Sequence, residues 1–263
     1  MPVYTSAELL ALNVHDVTVP RAARKAIFCL RLWRPARQRL HSQRSLRSVR
    51  PFRTRSADCK DVCVGYVNAQ SLGNKAELLC RSIIDEQLDI LVISETWHEQ
   101  SSSAVLRRVT LPGYRCIDAA RPIPRDTRVD TVDFQNHGGL AFVYRSNVAL
   151  RKRNLDISVT TFEYLCSYMT MRDTHVILLG IYRPGSRAPS AAFFDELSTV
   201  FEQLTTYRCP VIVCGDFNVH VDHPDDFYAV QLAQLLLTFD CIQHVAEPTH
   251  TAGHTLDLCQ TMR

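Results

Sequence analysis

Carboxylate and amide side chains follow several apolar runs of this sequence directly, at positions where a β-strand would end. The clearest case is Gly215-Asp216-Phe217-Asn218, which comes after the apolar run at 211–214. A carboxylate and an amide at the carboxyl end of a strand project into the crevice where α/β folds bind ligands. Gly, Asp and Asn also favour turns, so this tetrapeptide on its own is also consistent with a simple turn.

Other apolar runs end in polar residues of the same kinds. Asn68 follows the run at 64–67, Glu95 comes shortly after the run at 90–93, and Tyr182 follows the run at 176–181. Asp257 stands alone between apolar neighbours and offers a further polar group. Because carboxylate and amide oxygens gather here without convergent thiolates, they favour a hard cation such as Mg²⁺ over zinc.

Short apolar runs alternate with amphipathic stretches after residue 57, and this alternation predicts an α/β domain. Strands are expected at 62–67, 89–93, 114–117, 140–144, 164–171, 176–182, 211–214 and 256–259. Helices are expected at 75–87, 190–204 and 227–237. Ser190 is the predicted N-cap of the second helix. The polar, proline-bearing segment from Arg121 to His137 is interpreted as a loop.

The charges are unevenly distributed. The formal net charge is +3, yet residues 17–57 hold twelve basic residues and no acidic one. Residues 58–263 hold 18 basic and 25 acidic residues. We therefore predict an Arg-rich, disordered extension at residues 1–57 and a folded domain at residues 58–263. A solvated leader, a segment for nucleic-acid contact or nuclear import, and a transit peptide all remain open for the extension.

Composition excludes several classes of protein. The contents of 46% hydrophobic and 22% charged residues are close to globular averages, which argues against wholesale disorder. The longest apolar runs fall far short of the roughly 18 residues that a membrane-spanning helix needs. The N-terminal sequence does not contain the apolar segment and small-residue cleavage site that are typical of a signal peptide. The ten scattered cysteines suit buried free thiols in a reducing compartment, so we expect an intracellular protein that is not secreted.

The order of the motifs resembles the endonuclease/exonuclease/phosphatase superfamily, and most closely the apurinic-endonuclease-like domain of LINE-type non-LTR retrotransposons. The similarity extends from Val62 to Cys259 in five blocks. The blocks are Asn68-Ala69-Gln70-Ser71-Leu72 with Lys75, Ile90 to Trp97, Tyr182-Arg183-Pro184, Gly215-Asp216-Phe217-Asn218, and Pro248-Thr249-His250 with Gly253-His254-Thr255-Leu256-Asp257-Leu258. The resemblance implies an α/β fold of two packed, mostly mixed β-sheets flanked by helices, a four-layer sandwich of the DNase I type.

The same resemblance implies a metal site. Glu95 matches the family's main metal ligand, and Asn68 beside it would hold the metal and the catalytic aspartate in place. The implied cofactor is Mg²⁺, with Mn²⁺ as an alternative. The implied partner is a target-site DNA duplex, which the enzyme nicks for target-primed reverse transcription. Element RNA could bind the Arg-rich extension, no membrane is involved, and the expected location is the nucleus.

Four further residues match the catalytic set of the family. Asp216 would activate the attacking water, and Asn218 and Tyr182 would hydrogen-bond the scissile phosphate. Asp257 matches the aspartate that orients a catalytic histidine. Thr249 is a weaker match to a threonine that contacts the DNA backbone.

The sequence departs from the family in one respect. Members end with a strand that bears Ser-Asp-His, and no Ser-Asp-His occurs in these 263 residues. The expectation is therefore a domain truncated at its C-terminus that lacks the last strand, with impaired or lost nuclease activity. Four histidines near the motifs are interpreted as loop or turn residues; these are His220, His223, His250 and His254.

Two alternatives to a nuclease remain open. The first is a non-catalytic nucleic-acid-binding protein that uses the Arg-rich extension, and the second is a phosphatase of the same superfamily. A basic cluster of Arg145 with residues 151–153 is interpreted either as a solvated loop or as a basic rim for DNA.

Overall fold

The structure of the protein, a computed structural model, describes residues 62–101, 103–121, 137–171, 174–245, 248–250 and 253–262. The predicted extension at residues 1–57 lies outside the described residues, as does nearly all of the predicted loop at 121–137. Within the described ranges, no helix has both the length and the apolar character needed to cross a bilayer.

The first sheet is built from the N-terminal part of the described chain. Its strands and the neighbouring helices are β1 (Val64–Asn68), α1 (Ala76–Asp85), β2 (Ile90–Ser94), α2 (Ala104–Val109), β3 (Tyr114–Ala119) and β4 (Leu140–Arg145). The four strands lie in the order β1-β2-β4-β3. β1 and β2 are parallel, and the other two pairs are antiparallel.

The second sheet has six strands. The elements are β5 (Ala149–Arg153), β6 (Glu163–Met171), β7 (Thr174–Tyr182), α3 (Ala191–Thr205), β8 (Val211–Asp216), α4 (Phe227–Thr238), β9 (Ile242–Gln243) and β10 (Asp257–Met262). The strand order is β5-β6-β7-β8-β10-β9. β7 and β8 are parallel and connected through α3, whereas β10 returns antiparallel beside β8.

The two sheets pack face to face. Tyr66 and Phe142 of the first sheet lie in one buried cluster with Leu178 and Cys214 of the second sheet. A second cluster packs α3 and α4 on the outer face of the six-stranded sheet, and a third packs α1 and α2 on the outer face of the four-stranded sheet. This helix-sheet-sheet-helix arrangement confirms the predicted four-layer α/β fold.

The contact between the sheets depends on a glycine. A Cβ atom added at Gly180 of β7 would lie 2.7 Å from Cε1 of Phe142, a separation that carbon atoms do not tolerate. Phe142 itself is fully buried. Gly180 therefore lets the aromatic ring of the first sheet lie directly against the backbone of the second.

The two long helices of the second half begin at side-chain caps. Phe193 N donates to Ser190 Oγ at 3.3 Å, which confirms Ser190 as the N-cap of α3. Ala229 N donates to Asp226 Oδ1 at 2.9 Å at the start of α4. These bonds satisfy backbone donors that have no partner inside the helix, so each helix start is fixed by its own sequence.

The solvated-loop interpretation of the basic cluster is wrong. Residues 151–153 lie on β5, the strand at one edge of the six-stranded sheet, and Arg145 is the last residue of β4. Leu150 is the only buried residue of β5, so the apolar pattern that predicts a strand is nearly absent there. The short helix α2 was also not predicted. No disulfide bond joins any of the eight described cysteines, as expected, and four of them are buried.

Candidate active site

Strands of both sheets end at one edge of the sandwich and bring polar side chains together there. Asn68 is the last residue of β1, and Glu95 directly follows β2 in the same sheet. In the other sheet, Tyr182, Asp216 and Asp257 occupy one row across β7, β8 and β10, because Asp216 pairs in register with both neighbours. The structure therefore brings together one polar residue from each of the five sequence motifs.

Asn68 connects the two sheets. Its Nδ2 donates to Glu95 Oε1 at 2.7 Å and to Asp216 Oδ2 at 2.7 Å. Its Oδ1 accepts from the backbone N–H of Gln70 at 3.1 Å, which orients the amide so that the nitrogen lies between the two carboxylates. Asn68 is 6% exposed. A buried donor shared by two carboxylates holds both of them in fixed positions.

Asp216 has hydrogen bonds on both of its oxygens. Besides the bond from Asn68, its Oδ1 accepts from the backbone N–H of Asn218 at 2.9 Å. Asn218 has a φ of +49°, a conformation that asparagine tolerates better than most residues. Its side-chain Nδ2 donates to the carbonyl of Arg183 at 2.7 Å, so the loop after β8 is tied to the end of β7.

Arg183 holds this loop from within the protein. Its Nε donates to Phe217 O at 2.6 Å, and a terminal nitrogen donates to Asn218 O at 2.6 Å. The other terminal nitrogen donates to the carbonyls of Pro184 and Arg187. The side chain is buried, and burial lowers its pKa, an effect that nearby Asp216 opposes. The sequence motif contained Arg183, but only its position at a strand end could have indicated this role.

Two tyrosines face the carboxylates. Burial raises the pKa of Tyr182 above its ordinary value, and Glu95 raises it further. Burial likewise raises the pKa of Tyr66 well above its ordinary value, with contributions from Asp257 and Asp216. Tyr66 shares a 2.6 Å hydrogen bond with Ser94 Oγ. Both phenols therefore remain protonated at neutral pH and above, and Tyr182 is available as a neutral donor.

Thr249 positions the start of β10. Its Oγ1 accepts from the backbone N–H groups of Leu256 and Asp257, both at 3.0 Å. Thr249 is buried, and Asp257 is buried beside Asp216. In this structure the threonine hydroxyl therefore holds the strand that carries Asp257.

The backbone around Glu95 is held by a network that the sequence did not reveal. Glu95 has a φ of +51°. The next residue, Thr96, contacts His98 Nδ1 through its Oγ1 at 2.6 Å, and His98 Nε2 lies 3.1 Å from Asp118 Oδ2. Thr96 and His98 are both 1% exposed. This buried chain fixes the unusual turn that presents Glu95, and it depends on a contact with β3 that spacing alone could not predict.

The donor set fits a hard divalent cation. Asn68 joins Glu95 to Asp216, and Asp257 pairs with Asp216 across β10 and β8, so three carboxylates lie close together in a largely buried place. Such a concentration of negative charge is unfavourable unless a cation compensates it. Carboxylate oxygens are the ligands that Mg²⁺ and Mn²⁺ prefer. The site offers one carboxylate that can bind a cation, a second carboxylate fixed by two hydrogen bonds, and a neutral phenol donor. Together these groups can serve the hydrolysis of a phosphate ester.

Comparisons with known proteins agree with this arrangement. A family model described as "Endonuclease/Exonuclease/phosphatase family" matches residues 65–259. No curated protein sequence matches.

Solved structures share the fold at low sequence identity. The endonuclease domain of TRAS1, a telomere-specific non-LTR retrotransposon, superposes with a TM-score of 0.52 at 13% identity, covering 76% of this chain and 84% of that chain. The AP endonuclease LMAP from Leishmania major gives a TM-score of 0.55 at 12% identity, with 75% and 78% coverage. The 3′ phosphatase NExo from Neisseria, bound to a product DNA hairpin, gives 0.51 at 17% identity, with 76% and 86% coverage.

Proposed function

Because the chain belongs to the endonuclease/exonuclease/phosphatase family, we propose that it is a Mg²⁺-dependent DNA endonuclease of a non-LTR retrotransposon. It would nick a target duplex to prime reverse transcription. The observation that carries the proposal is the Asn68 amide, which joins Glu95 to Asp216 at 2.7 Å on each side.

We assign a different role to Glu95 and to Asp216 on the basis of their contacts. Glu95 is the half-buried carboxylate that would hold the cation. A divalent cation bound there would neutralise the negative charge that develops on the phosphoryl oxygens. Asp216, fixed through both oxygens, would accept a proton from the attacking water. A positioned carboxylate base is worth about 10² to 10⁴ in rate.

Neutral donors would bind the phosphate. Tyr182 keeps its proton because burial and Glu95 raise its pKa, so its phenol can donate to an anionic oxygen. Asn218 is the second proposed donor, positioned by its bond to Arg183 O. Asp257, at the start of β10, would correspond to the family's aspartate that orients a catalytic histidine. Donors of this kind stabilise developing charge without a fixed positive charge that would retain the product.

The choice of DNA over other phosphate esters rests on the motif resemblance and on the neighbours. Ser94-Glu95-Thr96-Trp97 and the block from Gly253 to Leu258 resemble the retrotransposon branch of the family. The endonuclease domain of TRAS1, the AP endonuclease and the 3′ phosphatase share the fold. We propose that residues 1–57, with their excess of arginine, form a separate extension that contacts nucleic acid.

A nicking assay tests this function. Supercoiled plasmid is incubated with the full chain and Mg²⁺, and conversion to the open circular form is measured. Because Ser-Asp-His is absent from these 263 residues, we expect slow nicking, which EDTA abolishes and which Asp216→Asn and Glu95→Gln each reduce about 10²-fold or more. Asp195→Asn and Glu77→Gln, which alter exposed carboxylates on α3 and α1, are matched controls that should keep the full rate.

Two results would contradict this proposal and favour one of the alternative functions. Removal of phosphate from a 3′-phosphorylated oligonucleotide, without plasmid nicking, would favour a phosphatase. Salt-sensitive DNA binding without any Mg²⁺-dependent cleavage would favour the non-catalytic alternative, since counterion release makes phosphate binding strongly dependent on salt.

A further inference from the structure

Three histidines and one aspartate lie together outside the carboxylate site. His220, Asp222 and His223 belong to the loop between β8 and α4, whereas His254 belongs to the segment that precedes β10. One ligand atom from each of the four residues lies within 4.8 Å of the others. We propose that this cluster, which we call the histidine cluster, is a transition-metal site of the Zn²⁺ class.

The distances match a tetrahedral centre. A zinc ion with ligands at about 2.0 to 2.1 Å places its ligand atoms about 3.3 Å apart. In the histidine cluster, His223 Nε2 lies 3.4 Å from His254 Nδ1 and 3.3 Å from Asp222 Oδ2. His254 Nδ1 lies 3.0 Å from the same Asp222 oxygen. Three ligand atoms are therefore already spaced as the corners of such a centre.

His220 supplies a fourth donor. Its ring centroid lies 4.4 Å from that of His254 and 5.9 Å from that of His223. A small rotation of its side chain would bring a ring nitrogen to the remaining corner, since its ligand atom already lies within 4.8 Å of the others. The donor set is then three imidazoles and one carboxylate, which suits Zn²⁺, Co²⁺ or Ni²⁺ and differs from the all-oxygen set that Mg²⁺ prefers.

The loop is pinned by contacts that do not use the ligand atoms. Asp222 Oδ1 accepts from the backbone N–H of Thr255 at 3.0 Å, which leaves Oδ2 to face the imidazoles. His223 N donates to His220 O, and Asp226 N donates to His223 O, both at 3.0 Å. Hydrogen bonds that the ligand residues make through their other atoms orient those residues before a metal binds.

The cluster is accessible to solvent. Its three histidines line a cavity of about 470 Å³ together with Pro224, Asp225 and Asp226. A metal ion can therefore enter without a change of fold. Because Asn218 lies two residues before His220 and Asp257 lies three residues after His254, the bound ion would tie together the two segments that carry these proposed catalytic residues.

Titration of the full chain with Co²⁺ tests the proposal independently of nuclease activity. We expect one equivalent to bind at neutral pH with the intense visible absorption of a tetrahedral ion, and Zn²⁺ to displace it. The absence of a sulfur-to-cobalt charge-transfer band would show that none of the cysteines is a ligand. A large excess of Mg²⁺ should not displace the ion.

Variants locate the bound ion. His223→Ala together with His254→Ala should weaken Co²⁺ binding by at least about 100-fold, since even loss of an outer contact costs 10- to 100-fold. Asp222→Asn should weaken it as well. His175→Ala, at an exposed histidine of β7, is the matched control and should bind like the wild type. Circular dichroism checks that each variant is folded. No stoichiometric Co²⁺ binding, a thiolate band, or equal affinity in the double variant would overturn the proposal.

Discussion

Asn68 Nδ2 donates a 2.7 Å hydrogen bond to Asp216 Oδ2, across 148 positions of sequence and between two different sheets. The same nitrogen donates to Glu95 Oε1. One buried amide therefore sets the distance between the carboxylate proposed to hold the cation and the carboxylate proposed to activate water. The two carboxylates keep this separation only if Asn68 Nδ2 faces both Glu95 Oε1 and Asp216 Oδ2.

Replacement of Asn68 by aspartate tests this bridge. Asn68→Asp keeps the shape of the side chain but exchanges the shared donor for a further negative charge between Glu95 and Asp216. Two hydrogen bonds to charged groups, each worth about 1.5 to 3 kcal/mol, are lost. We expect plasmid nicking to slow at least about 10²-fold and the protein to become less stable. An unchanged nicking rate would show that the bridge does not matter for the reaction.

Arg183 is expected to stabilise the fold through its shape as well as its charge. Arg183→Lys retains the charge, but a lysine cannot reach the carbonyls of Phe217, Asn218, Pro184 and Arg187 together. The buried carbonyl of Phe217 and the three part-buried carbonyls would lose their donor, so we expect a loss of about 3 kcal/mol in the free energy of unfolding. Urea denaturation measures it. Arg187→Lys, at an exposed side chain, should change the value little.

Gly215 is expected to tolerate no larger residue. A Cβ atom there would lie 2.2 Å from the carbonyl oxygen of Ile181, a backbone atom of the neighbouring strand. Gly215→Ala must push β7 away from β8, and we expect it to cost about 3 kcal/mol of stability. Gly113→Ala is the control for backbone strain alone, because Gly113 has a φ of +83° but no atom within 4 Å of the added Cβ. That change should cost about 1 kcal/mol. Equal losses in the two variants would argue against the steric explanation.

Acid should destabilise the protein through His244. Burial lowers the pKa of His244 from 6.5 to about 4, and its Nε2 lies 2.8 Å from Thr261 Oγ1. The unfolded chain therefore binds a proton that the folded protein does not, and stability is full above about pH 6.5 and falls as the pH drops towards 4. At about pH 5 this group alone should cost roughly 2 kcal/mol.

Urea unfolding at about pH 8 and about pH 5 measures the effect of His244. His244→Gln should lose this part of the pH dependence, whereas His175→Gln, at an exposed histidine, should keep it. A pH dependence that is the same in His244→Gln and the wild type would contradict the assignment.

Much of the fold could be predicted because its strands are apolar runs with clear ends. The carboxyl ends of β1, β2, β7 and β8 were visible in the sequence, and so were the polar residues that follow them. β5 was not visible, since Leu150 is its only buried residue and its pairing with β6 makes it a strand. The geometry of the site also depends on pairing, because Asp257 reaches Asp216 only through the antiparallel return of β10.

The histidine cluster illustrates the same limit. His223 and His254 are 31 positions apart, and each is an ordinary loop residue in its own segment. They meet because the loop after β8 and the segment before β10 lie at the same end of two paired strands. Arg183 is similar, since its four carbonyl partners come from two loops that the sequence does not place side by side.

A double-mutant comparison tests most directly whether Glu95 and Asp216 act as one catalytic unit. Initial rates of Mg²⁺-dependent plasmid nicking are measured for the wild type, Glu95→Gln, Asp216→Asn and the double variant. Residues that act as a unit lose most of the activity when either is removed, so we expect the double variant to be about as slow as the slower single variant. Rate losses that multiply independently in the double variant would contradict a shared site joined by Asn68.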